Sequence, residues 1–255
     1  MKMNSLPCLK ISLMTAACLL LAAGPQLHAG SVSLGAAESF SVLAATTVTN
    51  TGPTSLSGDL GVSPGTAISG FPPGTFSGTI HLNDALAIQA QADALNAYNI
   101  LALMPETQIL TGQDLGGLTL TPGVYQFDSS AQLTGTLTLD GQGLDNPLFV
   151  FQIGSTLTTA SLSIIDTING ATSDNVYFQV GSSATLGTGT DFEGNILAFV
   201  SDTLTTGATV DGRVIALTGA VTLDSNLIAV PEPGPLLLVL CGLTSFLLRR
   251  GRPQS

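Results

Sequence analysis

Along most of the chain, apolar residues recur in short runs of period two, each closed by Gly, Pro or Asn. Four apolar strands are predicted at residues 148–153, 176–180, 196–200 and 214–217. Each is followed by a threonine-rich copy of one pattern. Thr156-Leu157-Thr158-Thr159-Ala160 returns as Thr185-Leu186-Gly187-Thr188-Gly189 and as Thr203-Leu204-Thr205-Thr206-Gly207. A fourth, degenerate copy is Thr222-Leu223-Asp224-Ser225-Asn226, and successive offsets are 29, 18 and 19 residues. A unit of strand, turn, threonine strand and turn fits one coil of a β-solenoid, and the longer offset fits a coil with an inserted loop. A single coil cannot bury its own apolar face, whereas stacked coils bury a continuous core. Alternation turns the leucine of Thr-Leu-Thr inward and both threonines outward. Leu157, Leu186, Leu204 and Leu223 should then stack as an internal ladder beneath outer files of threonine. Earlier segments carry the same alternation, at residues 133–139, at Leu118-Thr119-Leu120-Thr121 before the turn Pro122-Gly123, and in the β-branched run at residues 46–50.

Residues 83–104 break the pattern. They are rich in Ala, Leu and Gln, without Gly or Pro, and predict a helix. Ala85, Ile88, Ala92, Leu95, Tyr98 and Ala102 fall at helical spacing and are the expected buried face. Asn83 or Asp84 can cap the start and Pro105 ends it. A helix of roughly 32 Å would match a stack of six or seven coils, roughly 30 Å, and cover one face along its whole length.

The ends differ from the body. Lys2 and Lys10 precede an apolar run at residues 11–23, with a cleavage site near Leu27-His28-Ala29, which reads as a secretory signal peptide. A lipoprotein signal acylated at Cys18 is the rival reading. At the other end Val230-Pro231-Glu232-Pro233 leads into an apolar run at residues 234–248 and then Arg249-Arg250-Gly251-Arg252. That run is short for an independent membrane span, and the arginines would hold it on the cytoplasmic side. The expected division is a signal peptide at 1–29, a body at 30–229 and a sorting or anchor segment at 230–255, with the body exported to the outer surface.

Charge narrows the chemistry. Of 17 acidic residues only Glu232 lies beyond residue 229, so the body holds 16, against Arg213 as its one basic side chain. Such a body repels phosphates and excludes nucleic acid. All three cysteines, Cys8, Cys18 and Cys241, lie outside the body, so no disulfide or thiol chemistry is expected there. Gly61-Val62-Ser63-Pro64-Gly65 has the form of a nucleophile elbow, but Pro64 lacks the N–H the oxyanion hole needs. His81, the body's only histidine, has no metal-ligand spacing around it, and Asp140-Gly141-Gln142-Gly143-Leu144-Asp145-Asn146 reads as a polar turn. No metal, cofactor or catalytic residue is assigned, and a carbohydrate-active enzyme stands as a minor alternative.

Two resemblances add to this. The tail, with Pro231, Glu232 and Pro233 as its motif, resembles the PEP-CTERM sorting signal of Gram-negative bacteria, which implies processing by an exosortase in organisms that make exopolysaccharide. The body is similar to the ice-binding-protein-like domain of cold-adapted bacteria, fungi and algae. The carrying segments include Thr49-Asn50-Thr51-Gly52, Gly58-Asp59-Leu60-Gly61-Val62-Ser63-Pro64-Gly65, Gly70-Phe71-Pro72-Pro73-Gly74, Phe149-Val150-Phe151-Gln152-Ile153-Gly154-Ser155 and Gly219-Ala220-Val221-Thr222-Leu223-Asp224. This resemblance implies a discontinuous right-handed β-solenoid of triangular section, a long helix alongside, and adsorption to an ice crystal surface through one flat face. Thr206-Gly207-Ala208-Thr209 fits a Thr-Ala/Gly-x-Thr/Asn pattern found on that face in some relatives; Thr159-Ala160-Ser161-Leu162 and Thr188-Gly189-Thr190-Asp191 fit in part. The candidate ice-binding residues are therefore Thr156, Thr158, Thr159, Ser161, Thr185, Thr188, Thr190, Thr203, Thr205, Thr206, Thr209 and Thr222, on a protein expected to act as a monomer. The alternative is a structural or adhesive matrix protein that uses the same fold without ice activity.

Overall fold

The structure is a computed structural model that describes residues 32–231. The expected signal peptide, Glu232 and Pro233 of the sorting motif and the apolar tail lie outside those residues. Within them, three parallel sheets of nine, seven and eight strands wrap one core. These sheets, A, B and C in that order, form the three sides of a solenoid of triangular section; seven coils contribute one strand to each side, while Ile80–Leu82 and Gln108–Ile109 end sheet A without a strand of their own in sheet B. Val176–Val180, Ala184–Leu186 and Asp191–Glu193 make one such coil, and Asn195–Ala198, Asp202–Leu204 and Thr209–Asp211 the next.

The stacking is discontinuous. The chain's first coil, Phe40–Ala44, Thr47–Thr51 and Ser55–Leu56, pairs on one side with its last, Val214–Ala216, Val221–Asp224 and Leu227–Ala229. On the other side it pairs with its second, Asp59–Val62, Ala67–Ser69 and Thr75–Phe76. Asn226 pins this join. Its backbone N–H donates to the Thr54 hydroxyl at 3.0 Å, its side-chain amide donates to the carbonyls of Thr205 and Ala208, and its Oδ1 accepts from the Asp224 N–H. Thr54 in turn donates to Oδ1 of the buried Asn50.

The core is a set of ladders, because parallel in-register coils stack like on like. Tyr125, Phe151 and Phe178 stack with ring centroids 5.5 and 4.4 Å apart, and Phe192 closes the series at 4.8 Å. Leu186, Leu204 and Leu223 pair in register and are fully buried, as the repeat predicts. Leu157 is buried too but belongs to the neighbouring ladder, since it pairs with Ala184. The offset between these two coils is thus 27 residues, set by Thr158 beside Thr185, and not the 29 read from the sequence.

The middle of sheet A is buried on both faces; its strands Phe149–Ile153 and Val176–Val180 have no exposed residue. Its outer face carries Leu43, Val124, Val150, Leu197 and Ile215, covered by the helix α1, Ala85–Ala102. Asp84 caps α1 by accepting the Ala87 N–H at 2.9 Å, and also meets His81 Nδ1 at 2.7 Å. Gln152 reaches out of sheet A to donate to the carbonyls of Leu101 and Met104, closing the other end. The face that packs is not the expected one. Ala87, Ala90, Ala94, Ala97 and Leu101 are buried, while Ile88 and Leu95 are 52 % and 43 % exposed. Alanines let the helix lie close on a sheet whose own side chains are large, which leaves no depth for Ile88 or Leu95. With 18 residues α1 is about 27 Å long, shorter than the roughly 38 Å of nine stacked strands, so it covers part of the stack and not the whole.

A threonine face on sheet B

Of the three sides, A lies under α1. Side C is acidic: Asp191 lies between Ile164 and Thr209 in one outer file, and Glu193 pairs with Asp211 in the next. Burial, followed by neighbouring carboxylates, holds Glu193 and Asp211 above the ordinary carboxylate range. Side B is different. Its strands run Ala131–Leu133, Leu157–Thr159, Ala184–Leu186, Asp202–Leu204, Val221–Asp224, Thr47–Thr51 and Ala67–Ser69. One outward file runs, in stacking order, through Gln132, Thr158, Thr185, Thr203, Thr222, Thr49 and Ser69, and every neighbouring pair is in register. Five threonines therefore follow one another without a break. Both flanks of each, such as Val48 beside Thr49 or Leu204 beside Thr203, are buried, which fixes the strand and aims the threonine outward.

A second outer file runs beside the first, two residues earlier along each strand. It includes Thr156, whose hydroxyl donates to Ser130 at 2.9 Å, and Thr47, which pairs with Ala67. On the far side, Thr205 donates to the Leu186 carbonyl at 2.8 Å and Thr51 pairs with Asp224. Asp224 is the one charged side chain this sheet presents outward within its strands, and Thr206 donates to it at 2.5 Å.

The structure gathers Thr156, Thr158, Thr185, Thr203, Thr205 and Thr222 on this side, and places the other six candidates elsewhere. Thr159 and Thr190 are buried: their hydroxyls meet at 2.7 Å, and Thr159 also accepts the Gly187 N–H. Thr159 takes the place a leucine holds in the adjoining coils, pairing with Leu133, and its hydroxyl is tolerated there because it is fully bonded. Thr209 stands on sheet C, paired with Asp191 and Leu227 and donating to the Asp191 carboxylate at 2.7 Å. Ser161, Thr188 and Thr206 lie in the turns that carry the chain from B to C. The Thr-Gly-Ala-Thr segment at 206–209 thus wraps a corner, with Ala208 buried at its bend. Thr47, Thr49, Thr51 and Ser69 were not among the candidates; the alternation of Thr47-Val48-Thr49-Asn50-Thr51 was visible, but its pairing with the last coil was not.

Other sequence features find structural uses. Asp140 accepts the Gln142 N–H and the Asn169 side chain, and these bonds hold its carboxyl below the usual range in a polar turn. Arg213, buried, donates to Asn195 at 2.9 Å, to the Glu38 carbonyl at 2.9 Å and to Asp174 at 3.3 Å. Ser63 is buried and its hydroxyl donates to Asn83 at 3.0 Å. Among the described residues no cluster of three or more His, Cys, Asp or Glu could hold a metal ion, and no helix is long and apolar enough to cross a membrane.

A parallel, in-register, nearly uncharged sheet with an unbroken threonine file accompanies a match of the sequence to a family profile. The Ice-binding-like profile aligns with residues 42–229, from the first strand of sheet A to the last of sheet C. The chain belongs to the Ice-binding-like family. Among curated relatives of this family, the ice-binding protein of Nostoc sp. (strain HG1) is 56 % identical over 237 residues, covering 87 % of this chain and 88 % of its own length. That of Flavobacterium frigoris (strain PS1) is 33 % identical, covering 79 % and 77 %. The crystal structure of an ice-binding protein from the Antarctic ascomycete Antarctomyces psychrotrophicus superposes with a TM-score of 0.75 at 45 % identity, over 79 % of this chain and 98 % of that one.

Proposed function

We propose that this chain is an exported ice-binding protein that adsorbs to ice through sheet B. The carrying observation is the five-threonine file, Thr158, Thr185, Thr203, Thr222 and Thr49, in register on a parallel sheet. Ice is a periodic array of oxygens, and only a periodic, rigid surface can match it over many sites at once. Stacked strands repeat about every 4.8 Å, and alternate residues along a strand repeat about every 6.7 Å. A threonine hydroxyl hydrogen-bonds to water, and its methyl group excludes disordered water beside it. Its stiff χ1 means that little rotamer freedom is lost on adsorption. The near absence of charge suits the task, because charged groups organise water around themselves.

The sequence at the ends supports a wider reading. Residues 1–29 direct export and are removed, residues 30–229 fold as the binding domain, and residues 230–255, with Pro231, Glu232 and Pro233, are read by an exosortase-type enzyme that leaves the protein at the outer cell surface, in a matrix containing exopolysaccharide. The domain acts there on ice as a monomer and performs no catalysis.

The test is thermal hysteresis and ice recrystallisation with the purified body. The proposal requires crystals that stay small and faceted at micromolar protein. Ice growth no different from that with an inert control of equal size would overturn it and favour an adhesive matrix role.

A further inference from the structure

Sheet B has an inner side as well as an outer one. The inward residues one position before the central threonine file are Ala131, Leu157, Ala184, Asp202, Val221, Val48 and Ile68. Six are apolar and the fourth is an aspartate. Asp202 is fully buried, and among the described residues neither of its carboxyl oxygens has a hydrogen-bond partner. It sits on the central strand of the seven, next in sequence to Thr203, directly beneath the middle of the threonine face.

The elements around it offer no counter-charge. Ala184–Leu186 and Val214–Ala216 contain no titratable side chain. The strand Val221–Asp224 contains one, Asp224, which lies on the outer surface bonded to Thr206 and Ser225. Arg213, which precedes Val214, is committed to Asp174, Asn195 and the Glu38 carbonyl. An ionised carboxylate in such a place is a bare charge in an apolar medium, far more costly than the neutral acid.

We propose that Asp202 is carried in the folded protein as a neutral carboxylic acid, a proton-dependent weak point beneath the centre of the threonine face. Burial alone holds this carboxyl well above the carboxylate range. In the unfolded chain it ionises near pH 4. The folded state therefore keeps a proton that the unfolded state releases. Below about pH 4 Asp202 carries only the fixed cost of a buried acid without a hydrogen bond; above that a further penalty grows with every step in pH and stops growing where the folded acid ionises. This inference concerns stability and stands whether or not the face binds ice.

The experiment compares the melting temperature of the wild-type protein with Asp202→Asn and Asp202→Val between pH 4 and pH 9. Valine is the residue at the paired position 221, so it fits the ladder. The advantage of either variant over wild type should widen by about 3–5 °C per pH unit for a domain of this size, until the folded acid ionises. The difference between proteins isolates Asp202 from Asp84, Asp114 and Asp140, whose carboxyls are held low and act in the opposite sense. Wild-type protein labelled at the aspartate carboxyl carbon supplies a readout that needs no variant to fold: one resonance should keep the shift of a neutral acid at pH 7. A pH-independent difference, or a wild type in which every aspartate is ionised at pH 7, overturns the proposal.

Discussion

Replacing Asn226 by alanine removes the side chain that ties the chain's last coil to the coil before it, while the backbone N–H stays on Thr54, and the cost can be worked from the bonds lost. The side-chain amide serves the Thr205 carbonyl at 2.9 Å and the Ala208 carbonyl at 3.1 Å, while Oδ1 serves the Asp224 N–H at 2.7 Å. Asn226 itself is 2 % exposed, so the alanine leaves a void and takes the partner of the Asp224 N–H, while the Thr205 and Ala208 carbonyls lose one donor each but keep the N–H groups of Ala208 at 3.2 Å and Leu227 at 3.4 Å. Each unsatisfied buried group costs about 1–3 kcal/mol. Asp224 is half-buried and can recover part of this from water, and each carbonyl loses only the net worth of one bond, about 0.5–1.5 kcal/mol. The expected loss is about 2–4 kcal/mol, or a melting temperature lower by about 5–15 °C in a chain of this size. Urea and thermal unfolding followed by far-ultraviolet circular dichroism would measure it. A loss below about 1 kcal/mol would refute the reasoning and mean that the backbone ladders hold this turn without the Asn226 side chain.

Two further perturbations probe other contacts. Ala94→Leu on the inner face of α1 should destabilise by about 1–3 kcal/mol through overpacking, whereas Ile88→Gln and Leu95→Gln on the outer face should stay within about 0.5 kcal/mol; thermal melts that rank them the other way would show that the helix packs through its large side chains. The Tyr177 phenol, pushed up to about 12 chiefly by burial and donating to the Val32 carbonyl at 2.9 Å, should stay neutral in the folded protein at pH values where a free phenol ionises. Its folded value lies above its unfolded one, so its contribution to stability is present below about pH 10 and is lost as pH rises toward 12. Ultraviolet titration of wild type against Tyr177→Phe would reveal any earlier ionisation.

The coil architecture was legible because its signal repeats: buried Leu186, Leu204 and Leu223 sit at offsets of 18 and 19 residues, and each follows a threonine. The register of Thr158 was not, for a physical reason. A slip of two residues keeps every side chain on the same face, so pairing Thr156 or Thr158 with Thr185 satisfies the alternation equally well, and only the three-dimensional path of the inserted loop decides. The helix face was misread because both sides of α1 are apolar: Ile88, Ala92 and Leu95 form a stripe opposite Ala87, Ala90, Ala94 and Ala97. Size decided between them, and hydropathy could not. Thr159 and Thr190 look like surface threonines in sequence, and their burial depends on a mutual hydrogen bond between residues 31 apart. Thr49 needed knowledge that the chain's first coil closes on its last.

The most direct test of the threonine face is an ice-adsorption comparison of two variants that both keep the wild-type circular dichroism spectrum. In Thr185→Tyr/Thr203→Tyr, two bulky rings stand up from the middle of sheet B and hold a flat crystal away from the threonines beside them. Thr209→Tyr places the same ring on the acidic side, sheet C. Thermal hysteresis at equal concentration should fall by more than half in the first and stay near wild type in the second. Loss in Thr209→Tyr with full activity in the sheet B variant would contradict the account and move the ice-binding surface to sheet C.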